Sequence, residues 1–149
     1  MTLLATTVMA MLAAASGEIA PAVVQAPESP IRLDHAKVLN IGATEPAVLM
    51  YAATNLTDND LEQFTVIAFI FDADGVLKAR QVAPGRRTLE KRSTKYSTMV
   101  LDGRPVMESD RIVIGVNQAQ RTDSDKWWSA ELEQAAQAAV KNPKPDSPR

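Results

Sequence analysis

The chain has 149 residues, a formal net charge of −2, no cysteine and one histidine, His35. Those counts exclude disulfides, thiol nucleophiles, and any zinc site or acid–base pair needing two histidines from one chain. The near-neutral balance argues against nucleic acid as a partner, and an apolar share of 46% suits one domain with an ordinary core.

No charge occurs before Glu18, and "LLATTVMAMLAAASG" runs apolar and small to Ala13, Ala14, Ala15 and Ser16. That is the length and ending of a secretory leader, too short for a permanent span, so residues 1–15 are expected to be a signal peptide. A basic n-region is missing: only Met1 and Thr2 precede the run. Export to the periplasm or beyond follows, without stable membrane insertion after cleavage. Residues 16–30, with prolines at 21, 27 and 30, read as a linker.

From residue 31 the apolar residues come in short runs bounded by turn chemistry. "IRLDHAKVLNI" (31–41), "AVLMYAATNLT" (47–57), "FTVIAFIF" (64–71), "GVLKARQVA" (75–83), "STKYSTMVL" (93–101) and "RIVIGVN" (111–117) predict six strands at sandwich-like spacing. The run at 64–71 is apolar on both faces, as in a central strand covered on both sides. His35, near a strand start, is expected on the surface. "TDND" at 57–60 reads as a polar loop rather than a calcium site built on Asp58 and Asp60.

After the last long strand, Leu132, Ala135, Ala136 and Ala139 recur at helical spacing, with Glu131, Glu133, Gln134 and Gln137 opposite. A short amphipathic helix is predicted, with Ser129 as N-cap and Trp127 and Trp128 anchoring it to the sandwich. Prolines 143, 145 and 148 end the pattern, so residues 142–149 are expected to be a disordered tail. The domain proper is thus placed at 31–141. Its predicted class is all-β: an immunoglobulin-like antiparallel β-sandwich of about six to seven strands with one C-terminal amphipathic helix.

Two features carry functional readings. "FDADGVL" (71–77) resembles the D-x-D-G motif of haloacid-dehalogenase-like phosphatases, which would imply Asp72 as nucleophile and Asp74 as general acid/base beside Mg²⁺. The following "GVLKARQVA" is extended rather than helical, and only the 72 residues after Leu77 remain for the rest of such a domain. The same residues make a tight β-hairpin turn, with aspartates bonding backbone amides and Gly75 at positive φ. The second feature is charge. From Lys78 to Lys95 there are seven cations and one anion, a surplus of six, so the remainder carries −8.

The order "ATNLT", "IFDADGVL", "RRTLEKRST", "RIVIGV" is similar to small exported bacterial immunoglobulin-like domains of the FxLYD type, over about residues 31–120. Ala68 stands where that pattern has its leading phenylalanine, and "LEKRS" lacks its Pro-Gly. The resemblance implies a sandwich in an envelope setting and no catalysis, cofactor or metal. The expected function is a non-catalytic interaction or assembly module. An envelope protein with an acidic surface would be met by Lys78, Arg80, Arg86, Arg87, Lys91 and Arg92. The alternatives are the Mg²⁺-dependent phosphatase and a glycan-binding module using Trp127 and Trp128.

Overall fold

A computed structural model of the chain describes residues 17–41, 46–83, 88–121 and 126–142. The expected signal peptide, the tail from residue 143, and Arg86 and Arg87 lie outside the described residues.

The predicted strands form, and they pack as two sheets. In the first, β3 (Ile31–Ile41), β4 (Ala47–Asn55) and β7 (Thr94–Leu101) lie side by side, with β1 (Gly17–Ile19) beyond β3. In the second, β8 (Arg111–Arg121) is followed by β5 (Leu61–Phe71) and β6 (Leu77–Val82). Its other flank pairs with β2 (Ala22–Val24) and β9 (Lys126–Trp128). The helix α1 (Leu132–Lys141) closes the described chain. The architecture is an all-β sandwich with a short C-terminal helix, and no described helix is long and apolar enough to cross a membrane.

Alternation sorts the side chains into layers. Leu33, Val38, Leu49, Tyr51, Phe64, Val66, Ile114 and Val116 meet between the sheets and are buried. Ile67, Phe69 and Phe71 of β5 and Val113 of β8 point the other way, to the outside of the second sheet. There α1 covers them with Leu132, Ala136 and Val140. A three-turn helix is marginal alone, and this apolar stripe supplies its stability. Gly115 makes the seat: a Cβ there would lie 2.7 Å from Leu132 Cδ1.

Four expectations are corrected. Residues 17–24 of the expected linker are strands: β1 pairs with β3 in one sheet and β2 runs parallel to β8 in the other. Pro21 lies between them, where the missing N–H ends one ladder and the chain crosses to the next sheet. The domain therefore starts before residue 31, and the second sheet is mixed rather than wholly antiparallel. The helix N-cap is Glu131, in the left-handed region at φ 55°, whereas the Ser129 amide donates to the Asn117 carbonyl as part of the β8–β9 pairing. The tryptophans are strand residues, and Leu132, Ala136 and Val140 anchor α1 in their place.

One end of the sandwich is organised by Asn55, which is fully buried. Its amide nitrogen donates to the Asn59 carbonyl at 2.8 Å and to the Leu89 carbonyl at 3.0 Å. Its Oδ1 accepts from the Thr57 amide at 2.9 Å and the Thr57 hydroxyl at 2.8 Å. Leu89 and Leu61 also exchange backbone hydrogen bonds. Replacing Asn55 by Ala is expected to cost about 2–3 kcal/mol, the order of leaving buried partners unmade. Urea unfolding would show this as a lower midpoint with an unchanged slope.

Candidate functional site

Asp72 occupies the β5–β6 turn. Its Oδ1 accepts from the Asp74 amide at 2.9 Å and the Val76 amide at 3.0 Å, while its own amide donates to the Val76 carbonyl. Gly75 takes φ 78° and donates to the Asp72 carbonyl. The hairpin reading of residues 64–83 is thus the observed one. Asp74 is exposed. Among the described residues no group of three or more His, Asp or Glu side chains could hold a metal.

The basic segment is divided between the two ends of the sandwich. Lys78 and Arg80 are on β6, Arg80 opposite Phe69. Lys91 and Arg92 follow Leu89, which bridges to Leu61 at the far end of β5. From Phe69 to Leu61 the strand spans about 26 Å at ~3.3 Å per residue. The four described cations therefore do not form one surface.

Three of them already have acids. Lys78 Nζ lies 2.6 Å from Asp110 Oδ2 with both side chains largely buried, and it also donates to the Pro105 carbonyl. Arg80 meets Glu133 of α1 at 3.2 Å in an exposed pair. Arg92 Nε donates to Asp58 Oδ1 at 2.8 Å. That hydrogen bond and the Arg92 charge hold the Asp58 carboxyl below its ordinary value, and Asp58 raises Arg92 in return. Asp60 Oδ1 accepts from the Lys91 amide, so both acids of the "TDND" loop are engaged by the 91–92 turn. His35 is exposed at a β3 bulge, with φ 51°.

The tryptophans part company. Trp127 pairs with Ala119 and packs against the main core, whereas Trp128 pairs with Gln118 on the opposite face and is 58% exposed. They form no single platform. Trp127 instead walls a groove of about 310 Å³ at the end of the sandwich, with Leu61, Pro30, Arg121 and Lys126 around it.

The two sheets differ most on their outer faces. The second is partly covered by α1, but no described element covers the first. In the first, register aligns Leu39, Val48 and Val100 in one row, Met50 and Thr98 in the next, and Asp34, Ala52 and Tyr96 in the third. Tyr96 is 77% exposed and Val100 52%. Arg32 pairs with Asp34 on this face, Thr54 with Thr94, and Lys37 is exposed with no ion-pair partner among the described residues. The sequence of β7 marks a strand without marking its open face. An alternation count would have separated Tyr96, Thr98 and Val100 from Met99 and Leu101.

Two outcomes test this electrostatic picture. Lys78→Met is expected to destabilise the fold by about 3 kcal/mol, since it leaves the buried Asp110 carboxylate short of its cation; a merely surface-exposed Lys78 would show almost no change in chemical denaturation. The Asp58–Arg92 pair contributes above the ordinary carboxylate range and is lost as pH falls through the lowered Asp58 value. Asp58→Asn should remove that small acid-side component from a pH series of melting temperatures, with little change in the rest.

Comparison with protein-family models, curated proteins and solved structures finds no match, so the functional argument rests on this chain's own residues.

Proposed function

We propose that the chain is a non-catalytic, exported sandwich domain of immunoglobulin-like type that serves as a protein-interaction or assembly module in the bacterial cell envelope. The strand pairing supports the fold type: β4 joins β7 in one sheet while β5 joins β8 in the other, so successive strands cross between sheets. The turn role of Asp72, whose Oδ1 is committed to two backbone amides, supports a non-catalytic reading.

The observation that carries the proposal is the open outer face of the β1-β3-β4-β7 sheet. Half-buried and exposed apolar groups, Tyr96 and Val100 the most exposed among them, lie in register across three neighbouring rows without cover from any described element. Contiguous apolar surface rimmed by polar groups is the usual composition of a protein contact. The occupant is a protein with an acidic rim. Lys37 on this face is an exposed cation with no ion-pair partner among the described residues, and exposed Lys91 just before β7 forms no close ion pair there although its charge acts on Asp58, whereas Lys78, Arg80 and Arg92 are already paired. The docking surface is thereby moved from the basic segment to the sheet face beside it.

Affinity capture from envelope extract at low and moderate salt tests this with the wild type and two variants. The Tyr96→Glu/Val100→Glu pair should lose the captured acidic protein, at least about tenfold in recovery, with the fold intact by circular dichroism. Lys37→Glu/Lys91→Glu should reduce its salt sensitivity. Undiminished capture by Tyr96→Glu/Val100→Glu would overturn the assignment.

A further inference from the structure

The outer face of the second sheet is only partly covered by α1. Past Gly115, where Leu132 sits, the strands continue for another two rows, and these rows are polar. Thr65, Gln118 and Trp128 stand in line across β5, β8 and β9, and Gln63, Gln120 and Lys126 form the next line. Residues directly opposite share a face with Cβ atoms about 5 Å apart, so these side chains make one continuous surface. It bears an indole 58% exposed, three glutamine amides and a hydroxyl.

The hydrogen bonding of this surface is incomplete. Gln63 donates to Gln120 at 2.9 Å. The Thr65 hydroxyl and the Gln118 amide oxygen, in the row of Trp128, are shielded from solvent and have no hydrogen-bond partner among the described residues. A shielded polar group left without a partner is destabilising. Their gathering beside one exposed aromatic ring is a local concentration of unspent hydrogen-bonding capacity.

We infer that this face is a binding site for a neutral glycan chain, with Trp128 as the stacking platform and Gln118, Thr65 and the Gln63–Gln120 pair as its polar contacts. A sugar ring offers what the face lacks and matches what it has. Its C–H face packs on an indole, and its hydroxyls both donate and accept, as amides do. Gln118 is partly exposed, so rotation of its side chain brings the amide oxygen out to a sugar hydroxyl. A phosphate-rich ligand would need several cations, and among the described residues these two rows carry one, Lys126. A peptide adding as a strand would use the backbone groups of a sheet edge, whereas this surface presents side chains on the face of β5, β8 and β9. The site is distinct from the face assigned to a protein partner, on the opposite side of the sandwich.

Maltohexaose, cellohexaose and chitohexaose, each titrated against the full chain, provide the test, read by tryptophan fluorescence and by calorimetry. At least one is expected to bind, and a Trp127→Phe background should retain the signal because Trp128 reports it. Trp128→Ala and Gln118→Ala should each weaken that binding at least about tenfold, with the melting temperature near that of the wild type. Trp128→Phe, which keeps a smaller ring, should weaken it less and guards against a folding defect in the alanine variant. Binding that survives Trp128→Ala, or follows Trp127 instead, would overturn the site, as would failure of all three oligosaccharides to bind at millimolar concentration.

Discussion

Asn55 closes one end of the sandwich. An amide placed between two apolar sheets is tolerable only when every donor and acceptor is met, and this one meets four partners in two separate stretches of chain. It holds the 57–59 turn, and through Leu89 it fixes the strap that returns from β6 toward β7. Because Leu89 in turn pairs with Leu61 at the start of β5, the last residue of β4 in one sheet and the first residue of β5 in the other are joined by a short path.

The opposite end is held by different chemistry. The buried Asp110 carboxylate accepts from the Lys78 ammonium and the Met107 amide, tying β6 to the β7–β8 connection. Arg111 donates to the Val140 carbonyl and so fastens the end of α1 to β8. Of the described cations in the basic segment, Lys78 is thereby committed to a buried structural pair, whereas Arg80 and Arg92 meet their acids at the surface.

The long strands were legible because each carries a clear alternation bounded by polar turns, and the Asp72–Gly75 turn because its residues have one backbone use that fits their spacing. The three short strands were not. Three residues carry no period, and Pro21 reads as a linker signal in sequence though it marks a sheet crossing in space. The destination of the cations was equally hidden: Asp110, Glu133 and Asp58 are far from their partners along the chain, and only the fold brings them into reach. The division of Trp127 from Trp128 follows from strand alternation alone, but it required knowing that 126–128 is a strand rather than the approach to a helix.

The crossing of residues 17–24 between sheets has a kinetic meaning. β1 can zip onto β3 once that nearby strand exists, but the parallel partner of Ala22 is Val113, at the far side of the chain. Contacts of such long sequence separation form late, because loop closure must precede any gain from them. β2 is therefore among the last strands to lock, closing the free side of β8 after β1 has already joined β3 in the other sheet.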